Sequence, residues 1–266
     1  MILGIDHAIL ATADVDVAAA EIEERLGLVA SGGGRHEELG TRNRLVWLGD
    51  SYLELVGVFD EELAGRSWLG RPVLDALRDG GGFVSWAIAV DDLDDALRWA
   101  PPDAGLVGPI DGDRRRPDGR VVRWRLARPE GIGPASPFLI EHDGTGAEWT
   151  AAERDARADD RHPVGGRVRL AGLEIRTPSP ATAAGRIRSQ LAVTVAPAGR
   201  AAVRIQLAGH EVRLVATGDG PAALVDLVAD VPLRTRIAQV GDCRIRLRGS
   251  AATPVAGPQP EESPGV

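Results

Sequence analysis

The sequence predicts an α+β protein assembled from one strand–helix–strands unit used more than once. Three observations lead there. Ile5-Asp6-His7-Ala8-Ile9-Leu10 runs into an amphipathic helix, and Tyr52-Leu53-Glu54-Leu55-Val56 closes the same unit. The pattern returns with Ser85-Trp86-Ala87-Ile88-Ala89-Val90 and Phe138-Leu139-Ile140-Glu141-His142. A weaker third copy starts at Val168. A short unit of this kind cannot bury its apolar face alone, so repetition implies pairing.

In the first unit a strand is expected over 2–11 and a helix over 15–27, followed by strands near 28–32, 42–48 and 52–58. Asp14 suits a helix N-cap, Ala18, Ala19, Ile22 and Leu26 form an apolar stripe at helical spacing, and Gly27 supplies the stop. Leu48-Gly49-Asp50-Ser51-Tyr52 reads as a tight hairpin. Residues 59–82 connect the units, with a short helix from Arg71 to Arg78.

The second unit predicts a strand over 83–90, a helix over 92–99, and strands near 105–108, 120–127 and 137–143. Asp91 or Asp92 caps its helix, and Pro101-Pro102 ends it. Arg114-Arg115-Arg116 reads as a solvated loop. Residues 144–166 mix charges and small residues without a strand pattern, and are expected to be a polar linker. The third copy predicts a strand at 168–176, a helix at 179–191 and strands near 193–197, 201–207 and 211–216. A helix at 220–230 and a hairpin at 234–248 follow. The Pro-, Gly- and Glu-rich tail 251–266 reads as disordered. The domain reading is therefore 1–143 (units 1–58 and 83–143), a linker at 144–166, a third unit at 167–250 and the tail.

Hydrophobic content of 44% and charged content of 26% describe an ordinary globular chain. The net charge of −8 argues against a general nucleic-acid binder, which needs a concentrated basic face. The single cysteine, Cys243, excludes an internal disulfide and cysteine-based zinc sites, and fits a reducing compartment. No basic leader precedes Asp6 and no apolar stretch reaches membrane-spanning length. A cytoplasmic protein is expected, with no nucleic-acid or membrane partner.

His7 and Glu54 lie on the first and last strands of one unit, each in an otherwise apolar strand. A carboxylate between Leu53 and Leu55 faces solvent or needs a partner. Arg35-His36 follows a glycine bend that can aim polar groups into a cavity mouth, and Asn43 sits on the third strand. His162 and His210, in a linker and a turn, are given no role.

With these words in place the sequence resembles the vicinal oxygen chelate superfamily, in its glyoxalase-like domain branch. Leu3-Gly4-Ile5-Asp6-His7-Ala8-Ile9-Leu10, Gly33-Gly34-Arg35-His36, Gly40-Thr41-Arg42-Asn43-Arg44-Leu45 and Tyr52-Leu53-Glu54-Leu55 carry the likeness in the first unit. Asp118 to Leu126 and Pro137 to Glu141 carry it in the second. The resemblance implies paired βαβββ units whose sheets curl into an incomplete barrel around a divalent metal, with a third, degenerate unit beside them.

It further implies metal ligands at His7, Glu54 and Glu141, with Glu141 also catalytic. The fourth position falls on Trp86 or, one residue away, Ser85; neither is a good ligand. One imidazole with two carboxylates suits Zn, Ni, Mn or Fe, and Lewis-acid lyase or isomerase chemistry on a small oxygenated metabolite. The substrate-binding residues expected are Arg35, His36, Asn43, Trp86 and Trp124. A metal-free protein that binds or sequesters a small molecule between aromatic walls is the alternative. The unpaired third unit should fold back on the first two or mediate a homodimer.

Overall fold

A computed structural model describes residues 1–101, 104–146, 148–156, 162–191, 193–199 and 201–250. The predicted tail lies outside the described residues.

The first unit comprises β1 (Ile2–Ala11), α1 (Val15–Leu26), β2 (Ser31–His36), β3 (Thr41–Leu48) and β4 (Ser51–Val58). Asp14 starts α1 as expected, its carboxylate accepting from the amides of Asp16 and Val17. Gly27 ends it at φ 72°, a left-handed conformation costly for residues with a Cβ. The apolar stripe of α1 is buried, and Ile22 and Leu26 contribute about 1.5–3 kcal/mol each on leaving water.

Two short helices, α2 (Glu61–Ala64) and α3 (Gly70–Arg78), lead to the second unit. It comprises β5 (Gly82–Val90), α4 (Leu93–Trp99), β6 (Leu106–Arg115), β7 (Val121–Pro129) and β8 (Phe138–His142). The eight strands close into a barrel ordered β1-β4-β3-β2-β6-β7-β8-β5. Central β1 runs antiparallel to β5 and parallel to β4, and β5 runs parallel to β8. Closure rests on one β2–β6 register pair, Arg35 with Arg115.

After α5 (Ala151–Ala156) the chain forms β9 (Val168–Thr177), α6 (Pro180–Leu191), β10 (Thr194–Pro197), β11 (Ala202–Leu207) and β12 (His210–Ala216). This is the third strand–helix–three-strand unit. The predicted helix at 220–230 is instead β13 (Ala223–Ala229), followed by the hairpin β14 (Arg236–Val240) and β15 (Cys243–Gly249). Ala223, Val225, Leu227 and Ala229 are buried while Leu224 and Asp226 are half-exposed, a period of two that only a strand supports.

The second sheet runs β10-β11-β12-β9-β13-β15-β14. Its centre repeats the barrel: β9 is parallel to β12 and antiparallel to β13, and β13 is parallel to β15. Strands β13–β15 thus stand where a fourth unit would, without its helix and one strand, which leaves this sheet open. Helix α6 covers one apolar face, and α1 lies between the barrel and β14, so one apolar cluster runs through both halves. The third unit therefore folds on the first two within the chain. His210 ties the second sheet to the barrel, its ring accepting from the Ile5 amide at 3.2 Å, and His162 ties the connecting segment to the barrel through the Val29 amide and the Trp47 carbonyl. Among the described residues no helix is long and apolar enough to cross a membrane.

Candidate functional site

The barrel encloses a narrow cavity of about 40 Å³. Its walls are apolar and aromatic, including Tyr52, Trp68, Trp124 and Phe138, and its polar groups come chiefly from the first unit. Glu54 on β4 is 5% exposed. Its Oε1 accepts from the Asn43 amide nitrogen at 2.6 Å, and its Oε2 lies 3.5 Å from His7 Nε2. His36 Nε2 approaches Oε1 at 3.8 Å. Three adjacent strands, β2, β3 and β4, and their neighbour β1 thus bring four polar side chains together, with the Glu54 carboxylate at the centre.

Each imidazole is held by its other nitrogen. His36 Nδ1 lies 2.9 Å from Thr41 Oγ1, and His7 Nδ1 lies 2.5 Å from Asp6 Oδ1. Adjacent strand residues normally face opposite sides. A register irregularity between Ile5 and His7 in the β1–β5 pairing lets Asp6 turn inward beside His7, as β-bulges do. Tyr52 stacks on the His7 ring at 4.7 Å, fixing its plane.

Asp6 was not among the expected site residues. Burial opposes its ionisation, but His142 and His7 outweigh that and hold its carboxyl well below the usual range. Burial also lowers the His36 pKa to about 4, Glu54 opposing the shift and Arg114 and His7 adding to it, so His36 is neutral at pH 7. An ionised Asp6 accepts the proton of His7 Nδ1, which leaves Nε2 to face Glu54.

Several expectations are corrected. Glu141 does not reach the cavity. Its Oε2 accepts from the Leu93 amide at the start of α4 at 2.9 Å and faces Arg125 at 3.5 Å. On β8 the inward residues are Phe138, Ile140 and His142, so His142, not Glu141, lines the cavity. Its Nε2 lies 3.0 Å from Asp6 Oδ2. Trp86 is fully buried on the outer side of β5, where its indole donates to the Pro134 carbonyl at 3.1 Å. The residue opposite His7 on that strand is Ala87. Arg35 is exposed, with its guanidinium 4.7 Å from the Phe59 ring centre, and does not line the cavity. His36, Asn43 and Trp124 do.

Arg114 is not a solvated loop residue. It is 3% exposed on β6, donating to Asn43 Oδ1 at 3.2 Å and to Glu148 Oε2 at 2.6 Å. Glu148 and Trp149 come from the segment read as a polar linker, and both are buried. Trp149 packs on His142, with ring centres 4.6 Å apart.

The donors expected to hold a divalent metal therefore do not assemble: His7 and Glu54 converge, and Glu141 lies outside. Among the described residues no group of three or more His, Cys, Asp or Glu side chains is arranged to hold an ion. The residues present supply instead a carboxylate, a carboxylate-anchored imidazole and a neutral imidazole in a narrow, largely apolar cavity.

The family model for the glyoxalase-like domain matches residues 5–191, from within β1 through the rest of the barrel to the end of α6. The chain belongs to the glyoxalase-like domain family. A solved structure of a hypothetical protein from Staphylococcus aureus superposes with a TM-score of 0.73 at 15% identity, covering 92% of this chain and 99% of that one. It is similar in fold across barrel and second sheet alike. Methylmalonyl-CoA epimerase from Mycobacterium tuberculosis is 23% identical, with a TM-score of 0.40, covering 53% of this chain and 89% of its own. A variant of the Streptomyces coelicolor methylmalonyl-CoA epimerase in complex with 2-nitronate-propionyl-CoA gives 23% and 0.41, covering 54% of this chain and 99% of that one. A comparison with curated proteins found no match.

Proposed function

We propose that this protein binds a small oxygenated molecule in its barrel and catalyses a proton transfer on it, as an isomerase or lyase. The observation that carries this is Glu54, a buried carboxylate set between His7 Nε2, His36 Nε2 and the Asn43 amide in a cavity otherwise walled by apolar groups. Asn43 holds one of its oxygens, and Oε2 remains to take a proton from a C–H next to a carbonyl. His7, oriented by Asp6, receives or returns that proton across the 3.5 Å gap to Oε2. His36, neutral at pH 7, can donate or accept a hydrogen bond to a substrate oxygen without adding charge. A cytoplasmic setting belongs to the same proposal and is supported by the lone cysteine, which is buried.

The test is deuterium uptake. The protein is incubated in D₂O with a panel of 2-oxo and 2-hydroxy carboxylic acids, with and without added Zn²⁺ or Mn²⁺, and followed by proton NMR. Exchange that falls by about 10²–10⁴-fold in Glu54→Gln supports the reading. Exchange untouched by that substitution, or none with any compound, overturns it.

The aromatic walls favour a second reading, ligand binding without turnover. Trp68 and Trp124 line the cavity, so bound ligand would quench tryptophan fluorescence, unaffected by chelator. Quenching without exchange would select this reading.

A further inference from the structure

The charges of the chain are segregated. Residues 167–250 hold 13 Arg against 6 Asp and Glu, a balance of +7, whereas residues 1–143 hold 15 Arg against 26, a balance of −11. The whole-chain balance of −8, which speaks against a nucleic-acid partner, hides this division. Asymmetry of this size between two halves points to a polyanionic partner for the basic one.

The register of the second sheet gathers part of that charge on one face. Arg213 on β12 pairs with Glu174 on one side and Arg204 on the other. Arg246 on β15 pairs with Asp226 on β13, and Arg244 with Leu224. Side chains two apart on a strand share a face, so Arg176, Arg204, Arg213, Arg244, Arg246 and Arg248 stand together. The opposite face, with Ile175, Leu214, Val225 and Ile245, is the buried one. By the topology shared with the barrel, the arginine face corresponds to the barrel's inner wall. It is open because the strand that would help close a second barrel is missing.

Three carboxylates share the face. Glu174 engages Arg213 at 2.8 Å, Glu211 engages Arg204 at 3.6 Å, and Asp226 engages Arg246 and Arg248 at 2.9 and 3.2 Å. Six arginines against three carboxylates leave an excess of three positive charges, and Arg176 and Arg244 form no salt bridge among the described residues. Arg204 and Arg213 are directly opposite, each with its own carboxylate beside it, so two guanidinium groups stand side by side on this face. The negative barrel does not cancel this at contact range, because charges are screened over about 8 Å at physiological salt.

The composition of the face selects the anion. Residues 167–250 contain no Phe, Trp or Tyr. Single strands and RNA loops are gripped by stacking bases on such side chains, which are missing here. Phosphate contacts by guanidinium groups need no stacking and suit a duplex backbone. We propose that the arginine face of the second sheet binds the phosphate backbone of double-stranded DNA without reading its sequence.

The experiment uses the full chain and a fluorescein-labelled DNA duplex of arbitrary sequence in an anisotropy titration. Neutralising three phosphates predicts roughly 40-fold weaker binding at 200 mM than at 50 mM salt. The triple variant Arg244→Gln, Arg246→Gln, Arg248→Gln is expected to lose most of the affinity and the steep salt dependence. Arg204→Gln with Arg213→Gln, at the other side of the face, gives an independent loss should the triple variant fold poorly. Arg66→Gln, on an exposed stretch of the barrel half, leaves binding unchanged. No binding at 50 mM salt overturns the proposal, as does binding indifferent to both sets of substitutions. Preference for an RNA duplex or for phosphatidylserine vesicles over the DNA overturns it too.

Discussion

Asp6 Oδ2 lies 3.0 Å from His142 Nε2, joining the first strand of the barrel to the last. The other oxygen of the same carboxylate holds His7 Nδ1 at 2.5 Å. One buried carboxylate therefore ties both units of the barrel to the site and sets the ring that faces Glu54.

Replacing Asp6 with Asn removes a charge that two imidazoles share, and is expected to cost about 1.5–3 kcal/mol at pH 7. The depressed pKa of Asp6 fixes the sign of the pH effect. Its stabilisation is present above the unfolded-state value of about 3.9 and is lost progressively as pH falls below that. Urea titrations of parent and Asp6→Asn at pH 7, 4 and 2.5 should show the two converging toward acid. A constant gap would show that Asp6 is not held ionised.

His36 predicts a separate, higher window. Its pKa is about 4 in the fold, against about 6.5 when unfolded. The unfolded chain thus binds a proton that the native chain refuses, so stability falls as pH drops from about 6.5 to 4 and levels off below. The loss through this group is on the order of 3 kcal/mol. His36→Gln should flatten that limb of a denaturation series. An unchanged limb would assign it to other groups.

Arg114 and Glu148 are both almost fully buried and bonded at 2.6 Å. Arg114→Met should cost about 1.5–3 kcal/mol, because it removes the nearer guanidinium from the buried Glu148 carboxylate and leaves it Arg116 at 3.7 Å. The double variant with Glu148→Leu should recover much of that loss. Thermal unfolding of the two single variants and the double closes the cycle. Strict additivity would mean that the pair does not act as a unit.

The fold was legible because helix stripes, caps and strand words repeat: Asp14, Gly27 and the Ala18–Leu26 stripe do in the structure what their spacing predicts. The site was legible only in its first unit. His7, Glu54, His36 and Asn43 meet because their strands are neighbours in the barrel and each has the inward parity. Asp6 was hidden because a bulge breaks the alternation on which strand reading depends. On β8 a slip of one residue exchanged His142 for Glu141, since parity alone decides the face. Arg114 was misread because β6 continues through Arg115, beyond the short apolar word Leu106-Val107 that announces it. Glu148 and Trp149 carry no periodic signal at all: they reach the cavity region from a loop, by tertiary packing.

Glu141 separates the expectation carried by family resemblance from the geometry. Its carboxylate accepts from the Leu93 amide in the first turn of α4 and faces Arg125, the place where a negative charge stabilises a helix N-terminus. Glu141→Gln keeps a hydrogen-bond acceptor there and removes only the charge, at a cost of about 0.3–1 kcal/mol. Ligand binding and proton exchange should be unchanged, because the side chain lies outside the cavity that Glu54 and His7 share. His142→Gln, one residue along, should disturb both, because it removes the partner of Asp6 and part of the cavity wall. Measuring exchange and fluorescence quenching in the two neighbours side by side decides the parity of β8 in solution. Loss of activity in Glu141→Gln with none in His142→Gln would place the strand one residue out of the register described.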